Sequence, residues 1–381
     1  MRDKDRKTLE ALARARPDAL DPARLAGGPR RHQDLAELLA TRPAIRPAST
    51  RRRLLVPLVG VAAAAAVAIG AVAVGLGQNR GAHTTNSAGP NGHLVLESMA
   101  NSVENQAADG AYWQFETQDQ SLFLIPGNPP YVVAQTGQND WSIGVRPGEQ
   151  SLLVSGLNQK RGPWSPEDTR RWMLAGSPAT VLAHVGAGKD KLAQRQVPIG
   201  GAAPRVDHTN SGGKIAAVGP HNVSYADLRQ LPSDQDQLAQ TLAKYYAQDG
   251  GESNTDQPDW MFEQVSGLIS LPISSSVRAS AYRILANLPG ITSLGTVTDP
   301  LGRAGVAVAL PPRQSGDLGQ QQDQLIVDPR TSTILSSQLV LVQPSKLAIS
   351  AGMTAGTVTY YQATTHIGWT DQQVGIPPTT R

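Results

Sequence analysis

Few residues in this 381-residue chain are spaced as chemistry requires. The nearest approach to a phosphate loop is Gly186-Ala187-Gly188-Lys189, where backbone amides and a lysine would cradle an anion. That pattern needs glycine where Ala183 stands and serine or threonine where Asp190 stands, so it is incomplete. The seven histidines, at 32, 83, 93, 184, 208, 221 and 366, lack metal-ligand spacing, and neither HExxH nor GxSxG occurs. His208 with Asp207 and His221 could meet in space as an acid–base group, but surface or structural histidines are the plainer reading. Cysteine is absent, which excludes thiolate metal sites and disulfide scaffolds. No catalytic, cofactor or metal residue is assigned, and the chain is read as non-enzymatic. An envelope hydrolase with a dispersed site is the third-ranked reading.

Aromatic residues are the other candidates. With only three Phe in the chain, Tyr112, Trp113, Tyr131, Trp141, Trp164 and Trp172 are a large share of its big side chains. They could line a groove that stacks on sugars or holds a lipid. The competing use is core packing.

Charge decides the topology these residues occupy. Residues 1–53 hold 14 Lys and Arg against 7 acidic residues, and the remainder holds 20 against 24, giving +7 and then −4 within the overall +3. Residues 54–76 follow without a charge, 23 in all; as a helix they would extend roughly 35 Å against a hydrocarbon core of about 30 Å. Arg51, Arg52 and Arg53 abut this run and orient it, because basic residues next to a span stay on the cytoplasmic side. The reading is a single-pass protein of the cell membrane, N-terminus cytoplasmic and C-terminal domain extracytoplasmic. The basic balance then reflects topology rather than nucleic-acid binding.

Five segments follow. Residues 1–53 are a basic cytoplasmic segment, broken by prolines and too poor in apolar surface to fold alone. Residues 54–76 are the membrane helix and 77–93 a polar, flexible linker. Residues 94–220 open with a helix near 94–107 and continue as antiparallel strands at 112–117, 122–125, 131–136, 141–145 and 152–157, with turns at Pro126-Gly127-Asn128, Asn139-Asp140 and Pro147-Gly148. A helix at 166–174 is expected next, and the rest of 163–213 gives no clear pattern. Residues 221–381 carry three helical stripes, Leu238/Leu242/Tyr246, Met261/Val265/Leu268 and Val277/Ala281/Ile284/Leu288, before the period changes to two. Strands are predicted at 306–310, 324–327 and 333–342, with edge strands at 358–362 and 365–369. The expected fold class is α+β: one N-terminal transmembrane helix, then an ectodomain of curved antiparallel sheet packed on helices.

Several motifs carry a resemblance. They are Leu12-Ala13-Arg14-Ala15-Arg16-Pro17, Arg51-Arg52-Arg53-Leu54-Leu55, Leu231-Pro232-Ser233-Asp234, Tyr282-Arg283-Ile284-Leu285-Ala286-Asn287-Leu288-Pro289-Gly290, Asp299-Pro300-Leu301-Gly302-Arg303 and Leu325-Ile326-Val327-Asp328-Pro329-Arg330-Thr331. In this order they resemble a family of uncharacterised actinobacterial single-pass membrane proteins, often encoded beside extracytoplasmic-function sigma factors. Ser332 departs from the family, whose turn usually has glycine there. The resemblance carries no catalytic residues; it implies envelope signalling. The Asp-Pro-x-Thr turn is also similar to that of curved half-barrels that shelter acyl chains. The expected partners are the membrane, a cytoplasmic regulatory protein such as a sigma factor, and an envelope lipid or glycan. The expected function is a membrane-tethered envelope sensor or regulator, with a lipid- or glycan-binding carrier module as the alternative.

Overall fold

A computed structural model describes residues 92–103, 110–146, 148–187, 191–210, 214–253 and 256–376. The span expected at 54–76, Arg51, Arg52, Arg53 and the cytoplasmic segment lie outside the described residues. Among those described, no helix is long and apolar enough to cross a membrane.

Helix α1 (Gly92–Val103) leads into three 14-residue strands, β1 (Tyr112–Ile125), β2 (Tyr131–Gly144) and β3 (Gln150–Pro163). These absorb five shorter strands expected from sequence. Asn139-Asp140, read as a turn, lies inside β2, where it pairs with Thr117 and Glu116. A polar run imitates a turn because polarity is the usual mark of exposed backbone; here the ladder continues through it.

Helix α2 (Pro166–Leu174) begins at a Ser165/Asp168 capping box, and the same Asp168 accepts a 2.7 Å hydrogen bond from the Val132 amide, tying the helix to β2. The stretch without a sequence pattern holds a hairpin, β4 (Thr180–Ala187) with β5 (Lys191–Pro198), followed by β6 (Gly200–Gly201) and β7 (Arg205–Asn210). Then come β8 (Ala216–Val218), β9 (His221–Val223), α3 (Tyr225–Arg229), α4 (Gln235–Ser253), α5 (Gln257–Ile269) and α6 (Ser275–Ala286). The last part contains β10 (Thr292–Thr298), β11 (Ala304–Ala309), β12 (Arg313–Ser315), β13 (Gly319–Asp328), β14 (Thr333–Pro344), α7 (Lys346–Ser350) and β15 (Val358–Thr370).

The fold is α+β, with seven α-helices among the described residues and an 11-stranded antiparallel sheet ordered β10-β11-β13-β14-β15-β1-β2-β3-β6; β12 joins β13 and β7 joins β3. Strands from before and after residue 220 therefore share one sheet. β15, expected at an edge, is central and joins the two groups by pairing with both β14 and β1. The break expected between 362 and 365 coincides with a bulge at Thr365, where Glu116 and Thr117 of β1 pair with His366 and Thr364, so one long strand reads as two short pieces. Register shifts in β2–β3, β1–β15, β13–β14 and β14–β15 bend the sheet locally.

One sheet face carries the main core. Trp113, Phe115, Trp141, Ile143, Leu153, Val308, Leu325 and Val327 pack with the apolar stripes of α1, α5 and α6, around the fully buried Trp260 and Tyr282. The opposite face is covered near β1 and β2 by α7, where Leu122, Leu124, Val132 and Ala134 meet Ala348 and Met353.

Candidate ligand-binding trough

The unbroken β1–β2 register, from Tyr112 opposite Gly144 to Ile125 opposite Tyr131, places all odd-numbered residues of both strands on the helix-facing side. Trp113, Phe115, Trp141 and Ile143 belong to the helical core at one end. Phe123, Ile125, Tyr131 and Val133 form a second cluster at the other, under Val181 and Ala183 of β4 and Val197 of β5, with Trp172 against it. Between the clusters the same face reads Thr117, Asp119, Ser121 on β1 and Gln135, Gly137, Asn139 on β2. β15 continues the band with Thr364, Gln362 and Tyr360 opposite Thr117, Asp119 and Ser121, and β14 adds Ser337 and Leu339.

This polar band is a candidate trough: Thr117, Gln135, Asn139, Gln362 and Thr364 are buried in its floor, while Asp119, Ser121, Ser337, Leu339 and Tyr360 are half-buried. Its floor is incompletely satisfied: Thr117 Oγ1, Asp119 Oδ1 and Gln135 Nε2 are buried atoms without a hydrogen-bond partner. Most buried polar atoms in folded proteins have a partner, so three on adjacent strands call for an explanation. Asn139 Nδ2 donates to Asp119 Oδ2, Thr117 and Gln362 also lie close enough to steady that carboxyl, and Arg161 Nε donates to Gln135 Oε1 at 2.8 Å, which holds Gln135 by its oxygen. Burial pushes the Asp119 carboxyl up to about 7, against the opposing influence of Thr117, Gln362 and Asn139. The Tyr360 hydroxyl is pushed up by burial and then by the charges of Asp119 and Glu263.

The walls differ in charge. On the α5 side, Arg313 bridges Asp323 of β13 (2.8 Å) and Asp259 of α5 (3.3 Å). On the hairpin side, the Arg195 guanidinium carbon lies 5.5 Å from the Phe123 ring centroid. Burial, then the charge of Arg161, holds Arg195 below the usual guanidinium range. Neither Arg161 nor Arg195 has a carboxylate partner among the described residues.

The six aromatics singled out from sequence do not form one groove. Trp113 and Tyr131 share the helix-facing side but stand roughly 40 Å apart along the strands, each in a different apolar cluster. Trp141 is buried in the helical core, Trp172 donates to Pro178 O at 3.2 Å, Trp164 is 40% exposed, and Tyr112 bonds Glu149 on the other face. Five therefore pack or make local hydrogen bonds, and the trough is built instead by Thr, Asp, Ser, Gln and Asn. The only sequence signal for it was a polar run interrupting two apolar alternations, the run read as a turn.

The other chemical candidates disperse. His208 meets Gln150 (3.1 Å), His221 meets Gln248 (2.7 Å), and Asp207 pairs with Arg205 (2.7 Å), so no acid–base triad forms from them. Gly186 and Ala187 end β4 and the next element is β5, a hairpin where a phosphate loop requires a helix. No cluster of three or more metal-ligating side chains occurs among the described residues. No family model, no curated protein and no solved structure matches this chain.

Proposed function

We propose that this protein is a membrane-tethered envelope sensor or regulator without enzymatic activity, whose extracytoplasmic α+β body holds a ligand in the trough centred on Asp119. Residues 54–76 are its membrane anchor and 1–53 its cytoplasmic side, supported by the uncharged run and the adjoining Arg51, Arg52 and Arg53. The observation that carries the reading is the set of buried atoms without a well-formed hydrogen bond, Thr117 Oγ1, Asp119 Oδ1 and Gln135 Nε2, on neighbouring strands beside the half-buried Ser121 and Tyr360. A donor, a carboxylate acceptor and a hydroxyl within one site suit a ligand rich in hydroxyls, as on a glycan or the sugar head of a lipid. The polar floor favours such a head over an acyl chain, since an acyl chain would leave all three atoms unpaired. The basic cytoplasmic segment would report occupancy to a regulatory protein such as a sigma factor, a link that rests on the family resemblance.

Native mass spectrometry of the full-length protein purified from its own envelope fraction tests this. A co-purifying hydroxyl-rich molecule that is lost in Thr117→Val/Gln135→Leu supports the reading. A wild-type protein that carries nothing, and takes up neither free glycans nor glycolipids in titration, overturns it. Deleting residues 2–45 separates sensor from carrier: a sensor loses its downstream response while a carrier keeps its phenotype.

A further inference from the structure

Roughly 20 Å along β1 from Asp119, beyond the packed Phe115 and Trp141, a second pocket of about 140 Å³ opens where the α5–α6 connection meets the β13–β14 turn and the end of β15. Its walls include Trp113, Ile273, Ile334, Ile367 and Trp369, with the two indoles edge-on at 5.1 Å. Five polar side chains interrupt this lining, Ser270, Ser275, Arg278, Ser332 and Thr333, and Arg278 is the one charged group among them.

Arg278 sits in the first turn of α6, which Ser274 caps, and only 8% of it is exposed. Nε donates to Ile269 O (3.0 Å) and Nη2 to Leu271 O (2.8 Å), and the guanidinium lies 5.1 Å from the Trp113 ring centroid. These bonds use two of the five guanidinium donors, and every partner is neutral. No carboxylate pairs with Arg278 among the described residues. Burial lowers its pKa only to about 10, so it keeps its charge at neutral pH. Ser332 is 3% exposed and its Oγ has no partner, while Tyr282 donates a 2.7 Å hydrogen bond to its carbonyl and holds the turn. A buried cation without an anion is costly, and an unpaired hydroxyl in the lining of the same pocket adds to the cost, unless a ligand satisfies both.

We propose that this pocket binds the carboxylate of a small organic acid with a flat apolar body, the Arg278 guanidinium taking the carboxylate oxygens and the Ser332 hydroxyl donating a further hydrogen bond. A planar guanidinium matches a carboxylate in two parallel hydrogen bonds. The single cation answers the one charge of a carboxylate and not the higher charge of phosphate, and the isoleucine and indole walls suit an apolar body. The volume is close to that of a protein cavity known to admit benzene, about 150 Å³. This site is independent of the trough and of any ligand there.

Titrating full-length protein in detergent with sodium benzoate, sodium acetate and inorganic phosphate, followed by calorimetry, tests the assignment. Saturable benzoate binding, weaker acetate binding and no phosphate binding are expected. Arg278→Lys should weaken benzoate about tenfold or more, because an ammonium cannot make the paired bonds. Ser332→Gly should weaken it about three- to tenfold, the worth of one hydrogen bond. Ser332 has φ +53, which glycine adopts freely, so this variant folds even where changes at Arg278 do not. Absence of saturable benzoate binding up to about 10 mM, which would fill nine-tenths of a 1 mM site, overturns the proposal. So does unchanged benzoate affinity in Ser332→Gly, or a preference for phosphate.

Discussion

The same two strands carry, on one face, an apolar stretch that helices seal and a polar stretch whose buried side chains are left short of partners. Around Trp113, Phe115, Trp141 and Ile143 the side chains are 0–5% exposed and pack on α5 and α6. A few residues further on, Thr117, Asp119 and Gln135 leave polar atoms unpaired. The β1–β2 ladder runs through both stretches without a slip. Backbone pairing is therefore indifferent to the change, and the difference lies in what the side chains meet. The apolar stretch stabilises the fold by burial, whereas polar atoms kept short of partners in the other stretch carry a cost that points to binding rather than folding.

The largest break in this contrast should come from the sealed side. Trp260 is fully buried at the centre of the helical core and meets Tyr246 edge-on at 5.6 Å. Trp260→Ala should cost about 3–5 kcal/mol, read as a fall in the urea midpoint. A loss under 1 kcal/mol would mean that the helices contribute little to stability and that the comparison is misdrawn.

Two aspartates sharpen it next. Asp299 has its needs met: Oδ1 accepts from the amides of Leu301 (3.0 Å) and Arg303 (2.8 Å), and Oδ2 accepts from Arg303 Nε (2.8 Å) and Nη2 (2.5 Å). Arg303 also donates to Thr364 O and Leu335 O, so it ties the β10–β11 turn to β14 and β15. Arg303→Met strands that carboxylate and should destabilise by about 3–5 kcal/mol. Asp119 is the opposite case. With its folded-state pKa raised from 3.8 to about 7, the native form holds its proton more tightly than the unfolded chain. Its contribution is most favourable below pH 4, declines as pH rises towards 7, and reaches a penalty of at most about 4 kcal/mol above that. Asp119→Asn should therefore stabilise the protein at pH 8, and the gain over wild type should shrink towards pH 4. Chemical denaturation of both proteins at pH 4.5 and 8 measures this. A gap that does not change with pH would place the carboxylate in a well-solvated setting and remove it from the trough.

How much of this the residues announced in advance differs by element. The stripes of α4, α5 and α6 and the helix at Pro166–Leu174 were legible because a 3.6-residue period and a capping box are local signals. The β4–β5 hairpin was not, since its exposed edge alternates weakly and Gly186 and Gly188 read as loop. The central place of β15 depends on pairing across more than 200 residues with β1, which no local pattern encodes. The trough was hidden for the reason that makes it a site: Asn139 and Asp140 violate strand patterning and read as a turn, which cuts β2 in two just beyond Gln135. The aromatics drew attention because they are few, yet Trp113, Tyr131 and Trp141 went to the cores, where so aromatic-poor a chain has most need of them.

The smallest expected effect separates stability from binding at one residue. Ser332 ends the Asp328-Pro329-Arg330-Thr331 turn with φ +53, its amide donating to Asp328 O at 2.8 Å. Left-handed backbone costs a non-glycine residue about 1–2 kcal/mol, and the buried, unpaired hydroxyl adds to this. Glycine removes both costs. Ser332→Gly should therefore raise stability by about 1 kcal/mol, a shift of about 2 °C in the thermal midpoint. Greater stability together with weaker benzoate binding would show that this serine, like the polar floor of the trough, is kept against the interest of the fold. A lower midpoint would mean that the hydroxyl supports the turn, and the parallel between the two sites would fail there.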